Sequence, residues 1–128
     1  MLLGVVGSRK RDAASDKALI REFIREKLSE GEEVILVSGD CPDGADRFAE
    51  ELTVEFGFPE MVIHEPDETM LPPAGQRKTW HYTKMYYARN TLIAEDCDEL
   101  LALPSETRGG TDDTIDKARK LGKTIHIR

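Results

Sequence analysis

One polar segment in the last third of the chain combines an arginine with two glycines directly before a predicted helix. Arg108, Gly109 and Gly110 follow an apolar run, and Thr111 starts the helix. Glycine lets a ligand approach the backbone closely, and a helix start offers unpaired N–H groups with a partial positive charge. The segment therefore predicts a phosphate-binding loop. The alternative is a tight turn with a helix cap.

A second group of small and polar residues follows the first apolar run of the chain. It consists of Gly7, Ser8 and Arg9. Here the glycine would allow a ligand to approach the backbone closely, and the serine would donate a hydrogen bond to it. The arginine would bind a phosphate with two parallel hydrogen bonds. A helix-entry turn without a ligand is the alternative reading of the same residues.

A third group follows the second apolar run and contains Ser38, Gly39, Asp40, Gly44 and Asp46. Either Asp40 or Asp46 could accept hydrogen bonds from ribose hydroxyls, as an acidic residue does in dinucleotide-binding folds. In the alternative, both carboxylates are solvated and Asp43 caps the next helix. A metal ion held by these aspartates has no other support in the sequence, so we predict no metal site.

Aromatic and basic residues cluster around residue 80. Trp80 and all three tyrosines lie within eight residues, among several basic side chains. The cluster could stack a base and hold phosphate. It could equally pack a loop onto the body or form a homodimer interface, where aromatic residues are enriched. Arg89 and Asn90 follow on an apolar helix, where a charged side chain should be partnered or line a pocket.

Cleavage of an N-glycosidic bond would need a carboxylate near the sugar, to stabilise positive charge or activate water. Asp46 and Asp113 are the candidate catalytic residues. Asp112 and Asp113 also suit the positive end of a helix, and they would repel an anion if they pointed towards it.

These residues must be positioned by alternating strands and helices. Short apolar runs predict strands over residues 2–6, 34–37, 61–64, 100–103 and 124–127, with stripes of apolar residues marking helices between them. Residues 65–83 fit neither period and predict a long loop, followed by a helix over 84–95. The pattern predicts one three-layer α/β domain over residues 1–128, with a parallel sheet covered on both faces. In such a sheet, ligands bind beyond the carboxyl ends of the strands.

Composition limits the possible partners. The net charge of −7 and a pI of about 5.0 argue against a general nucleic-acid binder, although a small basic pocket remains compatible with them. The sequence lacks a signal-like start and a membrane-length apolar run. Cys41 and Cys97 lack zinc-ligand spacing. We therefore expect a cytoplasmic protein with free thiols and no membrane partner.

The motifs together resemble the SLOG superfamily, and within it the YspA-like branch. The resemblance rests on GVVGSR, SGDCPDGADRFAEE, W-x-Y ahead of ARN, and ALPSETRGGTDDTIDKARKLGKTI, which span nearly the whole chain in order. It implies a Rossmann-like sheet in the order 3-2-1-4-5 and a nucleotide or nucleotide-derived ligand. Arg89 and Asn90 match the family's RN, and residues 108–111 match its glycine-rich phosphate loop.

The related LOG-type phosphoribohydrolases carry P-G-G-x-G-T-x-x-E, with the glutamate in catalysis. Alignment on Gly110 and Thr111 places Thr114 where that glutamate belongs, so Asp113 or Asp112 would have to replace it. We expect a sensor or carrier that binds a nucleotide-derived molecule, with no certain cofactor. The alternatives are a LOG-like hydrolase of nucleoside monophosphates, a DprA-like single-strand nucleic-acid binder, and a homodimeric interaction module.

Overall fold

The computed structural model describes residues 1–128 and contains five strands and four helices in alternation. Their bounds are β1 Leu2–Gly7, α1 Ala14–Ser29, β2 Ile35–Gly39, α2 Ala45–Phe56, β3 Met61–His64, α3 Thr79–Asp96, β4 Glu99–Leu103, α4 Gly110–Lys120 and β5 Thr124–Ile127. A short 3-10 helix, Glu68–Met70, lies between β3 and α3. None of the helices has both the length and the apolar composition that a membrane span requires.

All five strands are parallel, and their order is β3-β2-β1-β4-β5. This confirms the predicted Rossmann-like order. The chain crosses from one side of β1 to the other between β3 and β4, so the strand order reverses there. Because Gly7 pairs in register with Leu103, β1 and β4 end side by side, and a crevice opens beyond them.

Apolar side chains pack on both faces of the sheet, as the near-continuous apolar strands predicted. On one face, Leu3 and Val5 of β1 pack with α1 and α2. On the other face, Val6 packs with Ile93 of α3 and Ile115 of α4. Successive side chains of β1 therefore point to opposite faces of the sheet and contribute to both cores. The four helices form the outer two layers.

The helix α3 begins at Thr79, so the prediction of a loop as far as residue 83 was wrong. Over its first nine residues Met85 is the one buried side chain, and the apolar stripe on which a helix prediction depends is therefore missing. A cap starts the helix instead, because the backbone N–H of Lys78 donates to Nδ1 of His81 at 2.8 Å. Trp80 and the tyrosines consequently lie on a helix.

Candidate functional site

A cleft of about 490 Å³ lies beyond the carboxyl ends of β1 and β4. Its walls come from the loops after β1 and β4, from α3 and from the start of α4, and Cys41 and Asp46 complete the lining. Lys10 Nζ donates to Thr107 Oγ1 at 3.3 Å and so links the two loops. Most of the predicted ligand-binding residues line this cleft, namely Gly7, Ser8, Arg9, Asp46, Arg89, Asn90, Arg108, Gly109, Gly110 and Thr111.

The cleft is positively charged although the chain is acidic. Its ionisable lining consists of four basic residues, Arg9, Lys10, Arg89 and Arg108, against two carboxylates, Asp46 and Asp112, with Cys41 and two tyrosines beside them. The whole chain carries a net charge of −7. A local excess of positive charge inside an acidic molecule concentrates anions at that place.

Arg9 and Arg89 have no carboxylate within 4.0 Å, whereas several other arginines of the chain form ion pairs. The side chain of Cys41, and after it that of Tyr86, raises the pKa of Arg9, because both lie beside the guanidinium and favour its charged form. The Arg89 guanidinium lies 5.7 Å from the centre of the Tyr86 ring. Two arginines without acidic partners therefore flank one tyrosine in the cleft.

The start of α4 forms the opposite wall. The first N–H groups of an α-helix have no partner inside the helix, and Gly110 and Thr111 carry such groups into the cleft lining. One donor is already used, because Gly109 N–H donates to Asp112 Oδ2 at 2.8 Å. The wall thus offers an anion both free N–H groups and a nearby carboxylate that repels it.

Arg108 lines the cleft, but its guanidinium is already paired with Asp116. That hydrogen bond is the main reason why the pKa of Arg108 is raised. The side chain is 72% exposed. Of the cleft arginines, Arg108 is therefore the one with a neutralised charge.

Asp46 lines the cleft, and its carboxylate also closes the loop after β2. Its Oδ1 accepts from Ser38 Oγ at 2.5 Å and from Gly39 N–H at 3.2 Å, and its Oδ2 accepts from Cys41 N–H at 3.1 Å. Ser38 is fully buried and lies under the site rather than on its wall. Gly39 also lies outside the lining, behind Arg89.

Asp40 and Gly44, two predicted residues of the loop after β2, do not line the cleft, although Cys41 of the same loop does. Asp40 is exposed and is absent from the lining. Gly44 has a φ of 67°, which favours glycine, and its N–H donates to Asp12 Oδ1 at 2.7 Å. Gly44 itself occupies the N-cap position of α2 without a side-chain cap, so the alternative in which Asp43 caps this helix was wrong.

Asp113, the second candidate catalytic residue, lies between α3 and α4 and is absent from the cleft lining. Its Oδ2 accepts from Asn90 Nδ2 at 3.3 Å and pairs with Lys117 Nζ at 2.8 Å. Lys117 in turn donates to the backbone carbonyl of Tyr87. The two candidate carboxylates are therefore not brought together.

Trp80 is 58% exposed and packs against the ring of His81, with 3.8 Å between ring centroids. It does not line the cleft. The residues of α3 that do so, besides Arg89 and Asn90, are Thr83, Tyr86 and Tyr87. Of the aromatic cluster, Tyr86 and Tyr87 therefore line the cleft, and contact of Trp80 with a ligand stays a prediction.

Sequence reasoning did not assign several lining residues to the site. They are Val6, Lys10, Cys41, Thr83, Ser105, Thr107 and Thr114. The sequence indicated Tyr86 and Tyr87 only as members of the aromatic cluster, and Asp112 only as a replacement for the missing glutamate. Some signal was present, since Lys10 adjoins the GSR motif and both tyrosines belong to the aromatic cluster. No group of three or more histidine, cysteine, aspartate or glutamate side chains is arranged to hold a metal ion.

Comparison of the chain with protein-family models, with curated proteins and with solved structures gave no match. The resemblance to the SLOG superfamily therefore rests on the motifs in the sequence, and the function must be argued from the cleft itself.

Proposed function

We propose that this protein binds a nucleotide or a nucleotide-derived phosphorylated small molecule in the cleft, as a sensor or carrier of the YspA-like branch of the SLOG superfamily. The observation that carries this proposal is the pair Arg9 and Arg89. Both guanidinium groups lack a carboxylate partner within 4.0 Å and line one cleft with the start of α4. Unneutralised arginines beside a helix start are what phosphate binding requires.

The phosphate would lie between the two arginines and the N–H groups of Gly110 and Thr111. Arg108 would contribute less to phosphate binding than the sequence suggested, because its guanidinium is already paired with Asp116. A ribose hydroxyl could donate to Asp46, whose Oδ2 accepts one hydrogen bond in the protein and has room for another. The base would contact the tyrosines of the cleft rather than Trp80.

We propose binding without cleavage, in preference to LOG-like hydrolysis. Asp113 pairs with Lys117 outside the cleft. Asp46 lines the cleft and accepts three hydrogen bonds, from the end of β2 and from the loop after it. The cleft therefore holds one of the two candidate carboxylates, and Thr114 stands where the LOG-type motif has its catalytic glutamate. Incubation of a bound nucleoside monophosphate with the protein should release no free base, and released base would favour the hydrolase.

A thermal-shift screen tests the proposal. The compounds are nucleoside mono-, di- and triphosphates, dinucleotides, cyclic nucleotides, ribose 5-phosphate and inorganic phosphate. A ligand at about 100 times its Kd stabilises the folded state by about 2.7 kcal/mol. Arg89→Ala should clearly reduce the shift that a hit produces. The matched control is Arg25→Ala, which removes an exposed arginine of α1 far from the cleft lining.

No shift with any phosphate compound would contradict the proposal, and so would a hit that Arg89→Ala leaves unchanged. If no phosphate compound gives a shift, the homodimeric interaction module becomes the leading function. Its support is the exposed aromatic surface of α3, with Trp80, Tyr82 and Tyr87 each more than one-third exposed.

We also propose that the protein forms a homodimer through this aromatic surface of α3 and acts in the cytoplasm. Aromatic residues are enriched in protein interfaces. Both cysteines are free, which suits a reducing compartment.

A further inference from the structure

Gly39, the last residue of β2, lies directly behind the Arg89 guanidinium. A β-carbon built on Gly39 would lie 2.8 Å from Arg89 Cζ and 2.9 Å from Asp46 Oδ2, and closer still to Arg89 Nη1. Real β-carbons essentially never approach other atoms so closely. The backbone of Gly39 does not have a positive φ, so its conformation does not require glycine. Glycine matters at this position because the absence of a side chain leaves room for the Arg89 guanidinium.

Asn90 holds the same guanidinium from the other side. Arg89 Nε donates to Asn90 Oδ1 at 3.0 Å. Asn90 is itself only 4% exposed, and its Nδ2 donates to the Gly110 carbonyl oxygen at 3.2 Å. The arginine is thereby tied to the start of α4. Its two terminal nitrogens, Nη1 and Nη2, donate to no protein acceptor.

We propose that Gly39 is a positioning residue for anion binding: it provides the slot in which the Arg89 guanidinium lies, with its two terminal nitrogens left free for a ligand. A side chain at residue 39 would displace the guanidinium from Asn90 and from the start of α4. The consequence for ligand binding rests on the proposed function, whereas the positioning of Arg89 does not.

The positioning is tested without any ligand, by the Nε–H resonance of Arg89 in ¹⁵N-labelled protein. Its loss in Arg89→Ala assigns the signal. In Gly39→Ala we expect the resonance to shift and its exchange with water to accelerate, because the hydrogen bond to Asn90 is broken. A resonance that keeps both its position and its exchange rate would overturn the proposal.

The consequence is tested by titration with adenosine monophosphate. Gly39→Ala should weaken binding by about tenfold or more, as expected when hydrogen bonds to a charged group are lost. Arg89→Ala should weaken it at least as much. In the Arg89→Ala background, Gly39→Ala should weaken binding much less than it does in the wild type, because no guanidinium remains to be displaced and only the contact of the new Cβ with Asp46 Oδ2 is left. The double variant is the matched control, because it carries Gly39→Ala but lacks the Arg89 guanidinium.

The outcomes separate the two proposals. If the wild-type protein binds no phosphate compound, the proposed function fails and the Arg89 resonance still decides the positioning. If Arg89→Ala loses binding and Gly39→Ala does not, the role of Gly39 alone is refuted. If Gly39→Ala unfolds, the double variant decides: recovery of folding supports the slot, and continued unfolding shows that residue 39 needs space for something other than Arg89.

Discussion

Asp112 is the side chain of the cleft wall that opposes a bound anion most directly. Its carboxylate accepts from Gly109 N–H at the start of α4, where a phosphate would also be attracted. Asp112→Asn keeps an oxygen for that hydrogen bond and removes the negative charge. We expect adenosine monophosphate to bind more tightly by roughly 1 kcal/mol, or about fivefold in Kd, as measured by calorimetry.

The control for Asp112→Asn is Glu22→Gln, which removes an equal charge from the exposed surface of α1. This control should leave the Kd within error of the wild-type value, because exposed charges beyond about 10 Å are largely screened at moderate salt. Unchanged or weaker binding by Asp112→Asn would show that the anion does not lie at the start of α4.

At the level of elements, Arg11 and Asp16 fasten the loop after β1 to the rest of the fold. Arg11 Nε pairs with Asp16 Oδ1 at 2.6 Å, and its Nη1 donates to the backbone oxygens of Pro104 and Arg128. Burial alone would raise the pKa of Asp16, but hydrogen bonds from Arg11 and from the Ala13 N–H outweigh it and lower that pKa. The pair therefore helps to fix two loops that form the cleft.

A lowered carboxyl pKa in the folded state gives a stability contribution with a defined pH dependence. The contribution is fully present above the unfolded pKa of about 3.9 and is lost as the pH falls through the folded value. We expect Asp16→Asn to lower the free energy of unfolding at pH 7 by about 1–3 kcal/mol. Urea titrations at pH 7 and at pH 3 should show a smaller difference between variant and wild type at the lower pH. An equal difference at both values would contradict the assignment.

The aromatic surface of α3 provides a second prediction at this scale. Trp80→Ala removes the most exposed large aromatic side chain of the helix but no residue of the cleft lining. We expect it to weaken self-association in sedimentation experiments and to leave the Kd for adenosine monophosphate unchanged. A monomeric wild-type protein would refute the homodimer, and a loss of ligand affinity would instead place Trp80 against the ligand.

Apolar patterning predicted the strands, and the resemblance to the SLOG superfamily implied their order, whereas the neighbours of single site residues could not be predicted; the reason is physical. Buried parallel strands must be apolar along their whole length, so they are visible as runs. Which of two adjacent aspartates faces a cleft depends on helical phase, which turns by about 100° per residue. Asp112 lines the cleft, whereas Asp113 faces α3 and accepts a hydrogen bond from Asn90. Likewise, the pairing of Arg108 with Asp116 joins residues eight apart, and no local pattern indicates it.

At the scale of the whole molecule, charge distinguishes a nucleotide site from a nucleic-acid surface. The chain carries a net charge of −7, and four basic side chains line one cleft whose volume is about 490 Å³. A single-strand binder needs a basic groove that follows the backbone over several nucleotides, and a net charge of −7 disfavours such a surface.

We therefore expect adenosine monophosphate to bind while a single-stranded oligonucleotide does not compete with it. The two arginines and the helix start engage one phosphate, so affinity should fall only gently with salt. A nucleic-acid binder loses affinity with a slope of about 0.7 per contacted phosphate in a plot of log K against log salt. Competition titrations from low to physiological salt measure both quantities. Competition by the oligonucleotide together with a steep slope would favour the DprA-like alternative, because several phosphates would then have to contact the protein at once.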